Sequence, residues 1–173
     1  GFEVCVVLRH ILLYERPVAT ELNFILLRAS AADATRLTLL REGTARPGEA
    51  IDLSVGGGAN LWLEIDLRPS WSGRVRQLLA RPPPVRLAAW RELRRGLLLR
   101  KRAPASMLAA GFLASPLLQR NPDLLELYAA HAATRPRAYS VELLPGDERF
   151  WQVPFRFRIY RIENPLGRRT PNP

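Results

Sequence analysis

The chain has 173 residues, 47% of them apolar, and a formal net charge of +10. That length suits one domain with a single core, and the apolar share excludes a globally disordered chain. Lys101 is the only lysine, so arginine carries almost all of the positive charge. The excess reads either as the imprint of a GC-rich genome or as attraction to phosphate, in lipid headgroups or in nucleic acid.

Cys5 is the single cysteine, which rules out an intramolecular disulfide and a cysteine zinc cluster. No uninterrupted apolar run reaches the roughly 18–20 residues of a membrane span. Residues 2–14 are apolar but broken by Glu3, Arg9 and His10, and they lack the charge order and cleavage site of a signal peptide. A first residue of Gly rather than Met leads us to expect a fragment, with any membrane anchor outside it.

In chain order, residues 2–14 read as a buried strand and 19–29 as a second, with Leu22, Phe24 and Leu26 alternating. Residues 37–40 read as a short strand ending at a turn at Glu42-Gly43. Residues 51–55 alternate and stop at Gly56-Gly57-Gly58. That triple glycine lacks the lysine and the strand-to-helix setting of a phosphate loop, so it reads as a flexible turn and no cofactor is expected.

The stretch 61–90 organises the rest. Leu61, Leu63, Ile65 and Leu67 fall on one face of a strand, and Trp62, Glu64, Asp66 and Arg68 on the other. Arg68-Pro69-Ser70 ends it. Ser70 then caps a helical turn in which Val75, Leu78 and Leu79 share one side. Pro82-Pro83-Pro84 stops that turn and sends the chain into an extended segment over 85–90.

Residues 91–102 are the most basic run. Between Pro84 and Arg102, seven cations (Arg86, Arg91, Arg94, Arg95, Arg100, Lys101, Arg102) face one acid, Glu92, a balance of +6. Gly96 marks a hairpin turn with 97–99 as the returning strand. Residues 107–118 read as a buried irregular segment broken by Gly111 and Pro116. Asn121-Pro122-Asp123 starts a helix that carries Leu124, Leu127, Tyr128 and His131 on one face and ends before Pro136. Residues 139–144 form a strand, Pro145-Gly146-Asp147 a turn, and 150–162 the last strand. There Val153, Phe155, Phe157 and Ile159 point one way and Arg156, Arg158 and Tyr160 the other. Many short strands, few helices and frequent Pro/Gly turns predict a mainly β fold: an antiparallel β-sandwich, jelly-roll-like, with one or two short helices. It spans 1–163 as a single domain, with a disordered Pro-rich tail over 164–173.

Three stretches carry a resemblance: Leu67-Arg68-Pro69-Ser70-Trp71-Ser72-Gly73-Arg74-Val75-Arg76 continued by Arg81-Pro82-Pro83; Gly111-Phe112-Leu113-Ala114-Ser115-Pro116-Leu117-Leu118 followed by Asn121-Pro122-Asp123; and Phe150-Trp151. Over roughly 40–162 the chain resembles the jelly-roll-like soluble domain at the C-terminal end of some bacterial polytopic membrane proteins of glycosyltransferase type. The resemblance implies an extracytoplasmic, periplasmic location, a membrane portion in the same polypeptide, and an accessory role contacting glycan or anionic lipid. It implies no catalytic residues here. The basic 91–102 run departs from that pattern, as does the lack of a membrane span.

Glu64 and Asp66 sit two apart on one strand face, a spacing that suits a carboxylate pair or simply a solvated strand. Trp62 and Trp71 flank them, and aromatic rings stack on sugar faces, so Trp62, Glu64, Asp66 and Trp71 form the candidate glycan contact; capping of core edges is the competing role for the tryptophans. His10 and His131 lack metal-ligand partners at close spacing and read as structural. Ser72 and Ser115 lack a nucleophile elbow and a neighbouring base, which rejects a serine hydrolase. Arg91, Arg94, Arg95, Arg100, Lys101 and Arg102 form a solvated hairpin first, an anionic-surface patch second and a nucleic-acid contact third. If they serve a membrane, they belong on one end or one side of the sandwich. A free basic nucleic-acid-binding module is the alternative function, and a glycosidase resting on Glu64 and Asp66 the third.

Overall fold

The structure, a computed structural model, describes residues 15–21, 24–29, 36–80, 83–93, 95–117 and 134–163, the first two stretches by backbone alone. Strands β1 (Glu15–Glu21) and β2 (Phe24–Ala29) pair as an antiparallel hairpin. One four-stranded sheet runs in the order β3 (Arg36–Ala45), β10 (Phe155–Glu163), β5 (Leu61–Asp66), β8 (Phe112–Ser115). A second runs β4 (Ile51–Asp52), β9 (Ala138–Glu142), β6 (Val85–Glu92), β7 (Arg95–Ala103). Every pairing is antiparallel. Two short helices complete it, α1 (Trp71–Leu79) and α2 (Ala105–Ala110). The mainly β sandwich expected from the sequence is the fold observed.

The alternation along β5 sets the core. Leu61, Leu63 and Ile65 pack with Phe155, Phe157 and Ile159 of β10 against Val85, Leu87 and Ala89 of β6 and Tyr139 and Val141 of β9. The two inner faces thus close on each other as in sheet-on-sheet packing. The Phe112 and Tyr139 rings meet edge to face with centroids 5.4 Å apart, and the buried Tyr139 hydroxyl donates to the Ala114 carbonyl at 3.0 Å. Those contacts tie one sheet to the other.

Several elements differ from expectation. The single strand read over 19–29 is instead shared by two antiparallel strands, β1 and β2, paired from Glu15–Ala29 to Glu21–Phe24. The turn read at Glu42-Gly43 is continuous strand, and β3 runs from Arg36 to Ala45. Gly43 is there because the Phe157 ring crosses its backbone; a Cβ would sit 2.9 Å from that ring. The irregular segment read over 107–118 is regular over most of its described part: α2 ends at Gly111 (φ 85°) and β8 follows. Val153 lies ahead of β10 and is exposed, so the inward row begins at Phe155. The strand read over 2–14, the helix after Asn121 and the tail over 164–173 lie outside the described residues, as do Cys5, His10, Arg94 and His131.

The expected hairpin is present, but its turn lies ahead of Gly96, and the returning strand starts at Arg95 rather than Leu97. β6 and β7 pair from Val85–Ala103 to Glu92–Arg95, and Gly96 takes φ 63° just after the turn. β7 is an edge strand, and its cations discourage another chain from adding to that edge.

Candidate functional site

The outer face of the β3-β10-β5-β8 sheet carries the carboxylates singled out in the sequence. Cross-strand pairing sets Glu64 opposite Arg158 and Asp66 opposite Arg156; on the far side of β10, Arg158 also faces Glu42 and Arg156 faces Thr44. Opposite charges directly across antiparallel strands attract. Arg158 reaches Glu42 at 3.8 Å and Glu64 at 3.9 Å, Arg68 binds Asp66 at 2.8 Å, and the Tyr160 hydroxyl donates to Glu64 Oε2 at 3.1 Å. Partial burial of Tyr160, then the Glu64 charge it faces, push that phenol above its ordinary value of 10.0. Two adjoining hollows share Asp66, Arg68 and Arg156. One, of about 340 Å³, adds Thr44 and Gln152; the other, of about 260 Å³, adds Glu64 and Arg158. Together they form a shallow polar groove lined by alternating acceptors and donors.

The two tryptophans do not join it. Trp62 is only 1% exposed, so it has no free face for a sugar, which corrects its assignment to the wet side of the strand. Strand alternation places Trp62 on the outer face, but the end of α2 folds over that face. Gly111 lies directly on the indole, where a Cβ would overlap Trp62 Nε1. Trp62 Nε1 is buried with no hydrogen-bond acceptor. Trp71 is 80% exposed and is not among the residues lining the groove.

The basic run does not present one face. Arg100 and Arg102 pair with Ala88 and Arg86, which lie in register with Ser140 and Glu142 of β9, whereas Lys101 pairs with Leu87, a core residue. The period of two therefore sends Lys101 to the opposite side from its neighbours. Arg100 is held by Glu142 at 3.0 Å. Arg91 and Arg95 lie at the hairpin tip, roughly 20–25 Å along the ladder from Val85. Among the described cations of the run, Lys101 thus takes one side of β7, Arg100 and Arg102 the other, and Arg91 and Arg95 the hairpin tip.

A cleft that sequence reading missed gathers three arginines. Arg91 of β6 meets Arg135 and Arg137, which lead into β9, in a space of about 410 Å³ also lined by Ser54, Gly58 and Ser115. Arg135 is fixed by the Ala59 carbonyl at 3.0 Å and by the Ser115 hydroxyl at 3.4 Å. The Arg137 N–H donates to the Trp90 carbonyl at 2.8 Å, which aligns it beside Arg91. Burial raises the Asp52 carboxyl, but hydrogen bonds from Ser54 and the charges of Arg137 and Arg41 outweigh it and leave the group below 3.8.

Among the described residues, helix α1 carries the most exposed large apolar side chains. Ser70 caps it, accepting from the Gly73 N–H at 3.2 Å, and Ser70 and Ser72 both donate to the Arg149 carbonyl. Gly73 is buried, with the Phe150 carbonyl where a Cβ would be. Arg76 lies 4.4 Å over the Phe150 ring and 3.6 Å from Asp147. The helix is thus docked by its polar and glycine side. Its apolar side faces outward: Val75 is 41% exposed, Leu78 and Leu79 85%. The sequence placed these residues on one side correctly; the stripe's outward direction was not legible from spacing alone.

Among the described residues no group of three His, Cys, Asp or Glu is placed to hold a metal, and no helix is long and apolar enough to cross a membrane. What the fold and surface define is an antiparallel β-sandwich with a polar groove, an arginine cleft and one outward-turned amphipathic helix. Compared with protein families, with curated proteins and with solved structures, the chain matches none.

Proposed function

We propose that this chain is a non-catalytic accessory domain of a membrane-bound glycosyltransferase-like protein, held at the extracytoplasmic, periplasmic face by a membrane portion of the same polypeptide. Its role is to contact glycan. The observation that carries this reading is the groove on the outer sheet face, where Asp66, Arg68 and Arg156 stand between Thr44 and Gln152 on one side and Glu64 and Arg158 on the other. Carboxylates accept and guanidinium groups donate, so a ligand with many hydroxyls finds both kinds of partner in one row. Adjacent strands hold those groups about 4.8 Å apart with little freedom, which lowers the ordering cost of a weak ligand.

Calorimetric titration with neutral oligosaccharides and with uronic-acid oligosaccharides tests the reading. Binding is expected to at least one of these probes, and Asp66→Ala or Arg156→Ala should weaken it by about tenfold, the scale of a hydrogen bond to a charged group. Affinity unchanged by both substitutions contradicts a role for the groove.

A further inference from the structure

We infer that α1 is a membrane-contact element: its outward stripe of Trp71, Val75, Leu78 and Leu79 enters the headgroup region of an anionic bilayer while the sandwich stays outside. This deepens the membrane-side part of the reading above and rests on it. It moves the lipid contact from the basic hairpin to a different surface.

Three observations carry it. The first is the inversion of the helix. The four apolar residues follow the i, i+4, i+7, i+8 spacing that normally faces a core, yet Trp71 is 80% exposed and Leu78 and Leu79 are 85% exposed. Gly73 and Arg76 occupy the packed side instead. A helix docked by a cap, a glycine contact and a stacked arginine is held firmly in this orientation.

The second is composition. An interfacial helix combines Trp and Leu on one side with arginine at its border, because the indole suits the boundary between water and hydrocarbon and the guanidinium meets lipid phosphate. Arg74 stands three residues after Trp71 and four before Leu78, at the edge of the stripe, and it is exposed. Arg149 is exposed in the turn against which the helix docks. Arg68 and Arg76 nearby are paired with Asp66 and Asp147, and Glu148 is the remaining acid in that turn. The whole chain carries +10, so its long-range field also favours an anionic surface.

The third is size. A nine-residue helix is about 13 Å long. Its four apolar side chains offer roughly 400–500 Å². A stable protein interface needs about 800 Å² from each partner. A second copy of this chain is therefore poorly served by the stripe, whereas a bilayer takes up a few side chains at a time and adds attraction for each cation near the surface.

The 173-residue chain is floated with vesicles of phosphatidylcholine alone and of phosphatidylcholine with phosphatidylglycerol. Binding is expected only to the anionic vesicles, and it should weaken as salt rises. Leu78→Glu/Leu79→Glu should lose about tenfold or more of the partitioning. Leu78→Gln/Leu79→Gln, which adds no charge, should lose most of it too. Neither pair touches the groove, so oligosaccharide titration should be unchanged, and a failure of the glycan reading is thereby separated from a failure of this one. Partitioning that both pairs retain overturns the inference, as does equal binding to neutral vesicles or no binding at all. Sedimentation showing a dimer that either pair dissolves overturns it in favour of a second copy.

Discussion

β5 and α1 are consecutive, both are amphipathic, and they end in opposite situations. In β5 the apolar row Leu61, Leu63, Ile65 is absorbed by the facing sheet, and Leu63 and Ile65 are fully buried. In α1 the apolar row is left in solvent and the polar side is packed. Periodicity tells which residues share a face. It does not tell what lies opposite that face. For β5 the answer is a second sheet, which all strands of a sandwich find; for α1 it is a single 3-10 turn at Glu148–Phe150 that offers a carbonyl and an aromatic ring.

The largest losses of stability are expected where either docking is removed. Leu63→Ala leaves a cavity in the core and should cost about 2–5 kcal/mol in chemical denaturation. Gly73→Ala should cost about 1–3 kcal/mol although alanine is the better helix former, because its methyl group overlaps the Phe150 carbonyl. A stabilised Gly73→Ala protein would mean that α1 is not seated on that turn.

Ser70→Ala acts on the same docking at smaller scale. It removes the cap on the Gly73 N–H and a bond to the Arg149 carbonyl, for an expected loss of about 1 kcal/mol. Tyr160→Phe removes the hydroxyl that Glu64 accepts on the outer side of the β5 sheet, for about 0.5–1.5 kcal/mol near neutral pH. The Tyr160 phenol is raised in the folded state, so its contribution is complete below 10.0 and is lost as pH rises through the folded value. The gap between wild type and Tyr160→Phe should therefore close in alkali, and a gap that persists there argues against the bond. Least of all, Leu78→Gln/Leu79→Gln should move stability by no more than about 0.5 kcal/mol, since neither side chain leaves a packed site.

The parts of the fold legible in the sequence are those set by local pattern. The β5 alternation, the Ser70 cap and the β6–β7 hairpin each arise within a few residues. What was not legible depends on distant partners. Trp62 is correctly an outer-face residue, but α2 covers it. Gly43 has the look of a turn residue and is instead a gap for the Phe157 ring. The arginine cleft joins Arg91 to Arg135 and Arg137 through strand register and the Trp90 carbonyl, which no spacing in the sequence announces. Within the candidate glycan site, Glu64 and Asp66 share the expected face, while their partners Arg156 and Arg158 come from the far end of the chain.

Trp71 reports directly on whether the stripe of α1 faces lipid. Trp62 and Trp151 are buried and Trp90 is half-buried with its indole bonded to Ser140, so Trp71 is the tryptophan whose emission follows the solvent. On adding phosphatidylglycerol vesicles the emission should shift to shorter wavelength and become quenched by lipids labelled near the headgroup, and Trp71→Phe should abolish both responses. A vesicle-bound chain whose Trp71 emission and quenching stay those of the free protein would contradict a lipid-facing α1.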